Sequence, residues 1–304
     1  MKKTYLLGLV AMMLLFGMMS LGSGSDTSEE SKEIVVEDTD PTADTTDEAT
    51  VTEESSTSDI TIDEQVLFEQ DGLKVTATEY VTDSVFGDGI KLLIENNGST
   101  DVGLGCNALI VNDYMISDLF SSTVAAGKKD YETLSLSSSG LKAAGIENVG
   151  QIEIYFHTFD ADSYMTISDI DCVTIKTSAY DIMDSTPNDS GQELYNADGI
   201  RIVGKYVDEN SFWGAAVLLY IENNSGKNKV IQCDDMSING FMVTPYFSST
   251  VYDGKKAIDD ITLMSTELEE NNITSVDDIE LKFRIMNDDF SNSYESDLIT
   301  FSAK

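Results

Sequence analysis

The amino-acid sequence predicts an all-β protein built from two tandem antiparallel β-sandwich domains. An internal repeat is the first observation: residues 71–162 recur without a gap at 198–289, with 29 identities over those 92 positions. Both copies contain short runs in which apolar and polar residues alternate with period two, as expected of half-buried strands. Asn- and Gly-rich turns separate these runs. One domain is therefore used twice.

The first strands of each copy follow from this alternation. Leu73, Val75 and Ala77 share one face of a strand, because successive side chains of a strand point to opposite sides. Ile90, Leu92 and Ile94 continue the pattern until a turn at 96–98 stops it. The second copy stops at the equivalent turn, 223–226.

A hairpin is predicted in each copy at two consecutive turn residues. In the first copy Asn112-Asp113 separates the apolar runs 108–111 and 114–116, and in the second copy Asn239-Gly240 has the same place. Such pairs favour a type I′ turn, since both central residues need positive φ.

The remaining elements follow in the same order in both copies. Gly127 and Gly254 each lead into a strand, and a short helical turn is expected at 141–144 and at 267–270. The most regular strand places Ile152, Ile154 and Phe156 on one face, echoed by 279, 281 and 283. Strands at 173–175 and 299–301 close the copies.

Seven or eight strands in about 110 residues are typical of a two-sheet sandwich. We therefore assign repeat one to residues 66–177, repeat two to residues 193–304, and a turn-rich linker to residues 178–192.

The N-terminal region has the features of a targeting signal and not of a folded domain. Lys2-Lys3, an uncharged run from Tyr5 to Leu21 and a small-residue exit describe a signal peptide over residues 1–25, with an uncleaved N-terminal anchor as the alternative. Residues 26–65 carry 15 acidic residues and one basic residue, so we expect a disordered acidic linker.

Acidity limits the partners. The formal net charge is −37, and each repeat contributes −11. Phosphate binding depends on clustered Lys and Arg, so nucleic acid is excluded as a partner. A membrane contact is expected only through the N-terminal segment if that segment is not cleaved.

The layout resembles the immunoglobulin-like domains of unknown function that recur in exported lipoproteins of Gram-positive bacteria. The residues that carry the resemblance are the strand 89–97, ending in Ile-Glu-Asn-Asn, and the Gly-Lys-Lys turn before the next strand. It implies a tandem immunoglobulin-like fold and no catalytic residues. The segment 20–25 also resembles a lipoprotein signal exit, but Ser23 stands where that family has the cysteine that takes the lipid.

Aromatic residues form the first candidate ligand site. Phe86 aligns with the sole tryptophan, Trp213, in a turn before a core strand; Phe212 precedes Trp213, and Tyr206 lies upstream. Exposed rings here could stack on sugars or form an interface. The simpler expectation is that the rings fold down over the end of the sandwich.

Doubled lysines form the second candidate ligand site. Lys128 and Lys129 recur in register as Lys255 and Lys256. Contact with an anionic polymer or with the acidic face of a partner is one hypothesis. Protection of an edge strand, or a solvated turn, is the expected role.

Acidic residues after the most regular strand are the candidate metal ligands. Asp160, Asp162, Asp169 and Asp171 flank a short loop, and calcium accepts carboxylates in loops. Their spacing matches no defined calcium loop, so we expect no cofactor, with calcium as the open alternative. The same carboxylates could be paired as in a glycosidase.

These observations predict an extracellular or surface-associated, non-catalytic binding module that engages a cell-wall polymer, a glycan or a surface protein. The first alternative is a structural spacer or assembly component of the envelope, and the second is a carboxylate-based hydrolase.

Overall fold

The computed structural model describes residues 60–83, 87–116, 120–184 and 186–302. The predicted signal segment and nearly all of the predicted acidic linker lie outside these ranges. The elements of repeat one are β1 Gln65–Gln70, β2 Leu73–Asp83, β3 Gly87–Asn96, β4 Val102–Val111, β5 Tyr114–Ile116, β6 Ser121–Val124, β7 Lys129–Ser135, α1 Ser138–Ala144, β8 Gln151–Asp160, β9 Thr166–Asp169 and β10 Val173–Lys176.

Repeat two has the same elements in the same order, nearly all offset by 127 positions. A short 3-10 helix, Tyr180–Ile182, lies between the two series. The elements of repeat two are β11 Gln192–Ala197, β12 Ile200–Ser211, β13 Gly214–Asn223, β14 Lys229–Ile238, β15 Phe241–Met242, β16 Ser248–Val251, β17 Lys255–Met264, α2 Ser265–Glu270, β18 Asp278–Asn287, β19 Tyr294–Glu295 and β20 Ile299–Ser302.

The strands form three sheets. A four-stranded sheet has the order β1-β2-β3-β7, and a six-stranded sheet has the order β15-β14-β18-β19 with β16 and β20 added to β14 and β18. Between them lies a ten-stranded sheet, β10-β8-β4-β5-β17-β13-β12-β11, with β6 and β9 added to β4 and β8. The predicted all-β sandwich fold is confirmed.

The ten-stranded sheet is made from both repeats. Its β10-β8-β4-β5 part is the second sheet of repeat one, and its β17-β13-β12-β11 part is the first sheet of repeat two. The two parts meet where β5 pairs in parallel with β17, Tyr114 opposite Lys256 and Met115 opposite Ala257. Every other strand pairing in the described residues is antiparallel. The backbone N–H of Lys256 also donates to the carbonyl of Asp113 (2.9 Å).

Period-two alternation places the cores as predicted. Leu73, Val75, Ile90 and Ile94 are buried in the first core, and their counterparts are buried in the second. The first core also contains Val203 and Tyr220 of repeat two, while Met115 of repeat one packs against the second core. The remaining side chains that alternation assigned to the cores are likewise buried: Leu92, Leu134, Leu136, Ile152, Ile154, Phe156, Ile261, Leu263, Ile279, Leu281 and Phe283.

The predicted hairpins are confirmed by their backbone angles. Asn112 and Asp113 have φ of 48° and 68°, and Asn239 and Gly240 have 51° and 83°. The side-chain oxygen of Asn112 also accepts the backbone N–H groups of residues 150 and 151, and that of Asn239 accepts those of residues 277 and 278. Asparagine at this position therefore shapes the turn and ties it to the next long strand.

A buried asparagine holds the loop after β3 in repeat one and the loop after β13 in repeat two. In repeat two, the Asn223 side chain donates to the carbonyls of Lys227 (2.8 Å) and Val251 (2.7 Å) and accepts the N–H of Ser225. Asn96 makes the same three bonds in repeat one. The sequence predicted only a turn here, but this side chain joins the turn to β6 or β16.

The segment 178–192, predicted as a turn-rich linker, bonds to both repeats. The N–H of Asn188 donates to the hydroxyl of Tyr114 (2.8 Å), and its side chain donates to the carbonyl of Ala143. From repeat two, the amine of Lys205 donates to the main-chain and side-chain oxygens of Asn188 (2.7 and 3.0 Å). Because these bonds come from both sides, the segment fixes the repeats against each other.

Replacing Asn223 with alanine should lower the free energy of unfolding by about 2–4 kcal/mol, because three backbone groups lose their partner inside the protein. Urea denaturation measures the change. Asn224→Ala, at the exposed neighbouring position, is the matched control and should stay within about 0.5 kcal/mol of the parent. Equal effects of the two variants would contradict the role of Asn223.

Candidate functional site

Two large aromatic side chains lie exposed at the tip of the β12–β13 hairpin. Phe212 is 88% exposed and Trp213 is 43% exposed. Their rings pack edge to face, with 4.8 Å between the centroids and an interplanar angle of 88°. The expectation that these rings fold down over the end of the sandwich is therefore wrong for Phe212 and only half met for Trp213.

The tip is fixed by its surroundings. Ser211 pairs with Gly214, so residues 212 and 213 form the turn itself. The carbonyl of Trp213 accepts the N–H of Ser265 at the start of α2 (2.8 Å). Gly214 has φ of 150°, and a Cβ there would lie 2.4 Å from the carbonyl oxygen of Leu263. Only glycine allows this close approach of the hairpin to β17.

Tyr206 lies on β12 beside an open groove between the two repeats. Its side chain is 52% exposed. The groove has a volume of ≈ 630 Å³ and joins α1 of repeat one, the linker and β12–β13 of repeat two. It is lined by Ser139, Lys142, Ala143, Asn188, Ser190, Lys205, Tyr206, Asp208 and Leu218.

The groove carries both charged and neutral polar groups. Burial lowers the pKa of the Lys205 amine, which is held by Asn188. Lys142 of repeat one and Asp208 of repeat two are both exposed and line the groove. An aromatic face flanked by amine, amide and carboxylate groups can stack on a sugar ring and hydrogen-bond its hydroxyls.

Phe86, the first-repeat counterpart of Trp213, lies outside the described residues. Sequence reasoning found Tyr206 but missed the groove beside it, including Lys142, Lys205 and Asp208. These residues come from separate repeats and lack a common motif, so no local pattern in the sequence could have joined them.

The doubled lysines have different environments in the two repeats. Lys128 and Lys129 are exposed at the start of β7, the last strand of the four-stranded sheet, and Lys129 pairs with Glu95. They therefore stand at an edge strand of the sheet, the position at which such lysines were expected. Lys255 and Lys256 are at the start of β17, which is covered by β5 of repeat one.

Lys255 bridges the two repeats. Its amine lies 2.9 Å from an oxygen of Asp113 and 2.5 Å from an oxygen of Glu153, and its side chain is only 16% exposed. Burial lowers the pKa of this amine, but hydrogen bonds with both carboxylates outweigh burial and leave the pKa above its ordinary value. This amine is occupied inside the protein and is not available to a polymer.

Lys256 makes an aromatic contact at the junction between the repeats, where β5 pairs with β17. Its amine lies 5.4 Å from the centroid of the Tyr114 ring, and nearby the rings of Tyr155 and Tyr252 pack edge to face with centroids 4.9 Å apart. The sequence did not show that these residues meet. One signal for this contact was present in the sequence: neither tyrosine is kept in the other copy, since Tyr155 aligns with Lys282 and Tyr252 with Ala125.

The four candidate calcium ligands are not brought together as a metal-binding group. Asp160 accepts the N–H and hydroxyl of Ser163 (2.8 and 2.7 Å), and Asp169 accepts the side-chain amide of Asn107. The other two candidate ligands are Asp162 and Asp171. Within the described residues, no three Asp, Glu, His or Cys side chains are grouped to hold a metal ion. Asp160 caps a turn instead, and Asp169 joins β9 to Asn107 of β4.

Two carboxylates of repeat two have raised pKa values. Burial raises the pKa of Asp259 on β17 to about 6, against hydrogen bonds from Ser249 and from the backbone of Asp260. Burial also raises the pKa of Asp234 on β14, which pairs with Arg284 (2.7 Å). Asp259 lies in the ten-stranded sheet and Asp234 in the six-stranded sheet.

No family model matches this chain, and no curated protein matches it. Among solved structures, it is similar to the Salmonella enterica SafA pilin in complex with the SafB chaperone: TM-score 0.25, 11% identity, 77% of this chain and 98% of that chain covered. The YadV chaperone gives a TM-score of 0.23 and 9% identity, with 70% of this chain and 92% of that chain covered. A protein of unknown function from Porphyromonas gingivalis gives a TM-score of 0.21 and 8% identity, with 80% of this chain and 99% of that chain covered. None of these likenesses identifies the protein.

Within the described ranges, no helix combines the length and the apolar character needed to cross a membrane.

Replacing Lys255 with alanine should lower the free energy of unfolding by about 2 kcal/mol, because Asp113 and Glu153 are left close together without their cation. Urea denaturation measures the change. The matched control is Lys128→Ala, the same residue at the equivalent exposed position, which should change stability by about 0.5 kcal/mol or less. Equal losses in the two variants would show that Lys255 is not a bridge.

Asp259→Asn should stabilise the protein by about 1–2 kcal/mol at pH 7.5, because it removes a partly buried charge. The folded-state pKa of about 6 lies above the ordinary 3.8, so the folded protein binds the extra proton between these values. Ionisation therefore costs stability as the pH rises from 3.8 to 6, and the cost is constant above that. The advantage of the variant over the parent should shrink by pH 4 in urea titrations. An advantage that does not depend on pH would contradict this assignment.

Proposed function

We propose that the protein is an exported, non-catalytic surface module that binds a neutral polysaccharide through the exposed aromatic residues of repeat two. The observation that carries this proposal is the exposure of Phe212, 88%, beside the half-exposed Trp213. Export is supported by the basic start and the uncharged run from Tyr5 to Leu21.

Folding alone does not account for aromatic residues at this turn. Turns favour Gly, Asn, Asp and Pro, each for a conformational reason, and Phe and Trp offer none of these. Neither residue 212 nor residue 213 has the positive φ of the hairpin turns at 112–113 and 239–240. A large ring that leaves most of its surface in water gains little by burial, which favours a role in contact with a ligand.

Tyr206 and the inter-repeat groove support the same ligand class. The ring offers an apolar face, and Lys142, Asn188 and Asp208 offer donors and acceptors around it. Sugars have apolar ring faces edged by hydroxyls, and this mixture suits them.

Charge favours a neutral polymer over an anionic one. The chain has a net charge of −37. Lys255, one of the doubled lysines, is already paired with Asp113 and Glu153. Long-range repulsion therefore opposes binding of a polyanion.

A structural spacer is the second candidate, and the junction between repeats favours it. The ten-stranded sheet runs through both repeats, and the linker bonds to each of them. A rigid pair of sandwiches would hold another part of the envelope at a fixed distance.

Co-sedimentation of the purified chain with insoluble neutral polysaccharides tests the proposal. Phe212→Ala/Trp213→Ala should lower the affinity at least about tenfold, as expected when an aromatic anchor is lost. Phe290→Ala, which removes another ring that is 68% exposed, is the matched control and should bind as the parent does.

The outcomes separate the two candidates. Binding that depends on residues 212 and 213 supports the polysaccharide module. If the parent protein binds none of the polymers, or if the double variant and Phe290→Ala bind equally, the proposal fails and the spacer is favoured.

A further inference from the structure

The residues that form the junction between repeats occur a second time, on surfaces that face solvent. Lys255 and Glu153, which pair across the junction, are identical to their counterparts Lys128 and Glu280. Both counterparts are exposed. The same ion pair thus forms once inside the chain, while its other two members are exposed on different repeats, where Glu280 accepts a hydrogen bond from the Ser237 hydroxyl (3.2 Å).

Repeat two carries an uncovered counterpart of β5. Strand β15 ends the six-stranded sheet, and its residues Phe241 and Met242 are 49% and 65% exposed. In repeat one the equivalent Tyr114 is 2% exposed, because β17 covers it. An apolar edge strand left in solvent is a template for pairing with another strand.

An open cavity lies next to this strand. It has a volume of ≈ 690 Å³, and Gly240 and Glu280 are among its lining residues. Their equivalents in repeat one, Asp113 and Glu153, hold the amine of Lys255. The cavity therefore corresponds to the place that a lysine occupies in the first copy.

Repeat one carries the opposite surface, an uncovered counterpart of β17. Strand β7 ends the four-stranded sheet, and in the described residues its outer edge pairs with no strand. Lys128 and Lys129 stand at its start, and Tyr131 is 58% exposed.

We propose that copies of this chain associate head to tail, with β15 of one copy pairing in parallel with β7 of the next. This association reproduces the β5–β17 junction between molecules and goes beyond the proposed polysaccharide binding. Phe241 then faces Lys129, as Tyr114 faces Lys256, and Met242 faces Asp130, as Met115 faces Ala257. Lys128 enters the cavity and pairs with Glu280.

The contact between molecules is weaker than the internal one. Gly240 replaces Asp113, so the lysine keeps one carboxylate partner instead of two, and Asp130 stands where Ala257 is buried. The Tyr155–Tyr252 ring contact has no counterpart, since the aligned residues are Lys282 and Ala125. The copies also share a net charge of −37, which opposes association at low salt. Assembly therefore depends on protein concentration.

The two surfaces differ from each other, so each copy keeps one of them free after pairing. Such a contact gives an open chain, or a ring if the rotation closes, but not a two-fold dimer.

Sedimentation velocity of the full chain in about 150 mM salt, where the Debye length is about 8 Å, tests the proposal. The mass of the parent should rise with concentration from 33.2 kDa through dimers to longer species. Lys128→Glu and Glu280→Lys should each weaken association at least about tenfold, because like charges then meet at the contact. An equimolar mixture of the two variants should assemble again, since it restores opposite charges at every contact.

A parent protein that stays at 33.2 kDa up to about 0.5 mM would overturn the proposal. Association that stops at a dimer, or that persists in both single variants, would overturn it too, because another surface would then be responsible. Lys227→Glu is the control for the charge change on an unrelated turn and should associate as the parent does. Circular dichroism confirms that the variants, altered at exposed positions, are folded.

Discussion

The pairing of β5 with β17 is the constraint on which the rest of this structure depends. It covers the strand edge of repeat two, joins two sheets into one of ten strands, and brings Lys255 between Asp113 and Glu153. A largely buried amine is tolerated between two carboxylates because it keeps charged partners, whereas the same amine without them would be costly. The groove beside Tyr206 lies between α1 of repeat one and β12 of repeat two, and the linker residues Asn188 and Ser190 also line it.

The two copies differ at several surface positions. Phe212 and Tyr206 of repeat two align with the non-aromatic residues Val85 and Glu79 of repeat one. Repeat one supplies α1 and the acidic side of the junction. A few surface positions can diverge in this way because the core pattern, on which the fold depends, is kept in each copy.

The sequence predicted the strands well because burial imposes period two on every sandwich strand. Asn112-Asp113 and Asn239-Gly240 predicted the hairpins for a comparable local reason, the positive φ of their turns. Alternation says which face of a strand is buried but not which strand lies beside it, so the contact of β17 with β5 could not be predicted. For the same reason the identical pairs Lys128-Lys129 and Lys255-Lys256 gave no sign of their different environments.

The candidate site was only partly predictable. The turn position of Phe212 and Trp213 was plain in the sequence, but whether a ring points outward depends on the fit of Gly214 against β17 and on the hydrogen bond from Ser265. The aspartates at 160, 162, 169 and 171 suggested a metal because they are close in sequence. In the fold they form no metal-binding group, and Asp160 and Asp169 bond to Ser163 and Asn107.

The exchange of core residues between the repeats has a consequence for how the chain folds. Tyr220 and Val203 of repeat two complete the first core, and Met115 of repeat one packs on the second. A chain made from its N-terminus therefore cannot close its first core until about 220 residues have emerged. Until then β5 is an unpaired edge with the Tyr114 ring beside it, which is the state most open to mispairing with another chain. Repeat two thus completes the core of repeat one, and loss of order in repeat two would open the first core at Val203 and Tyr220.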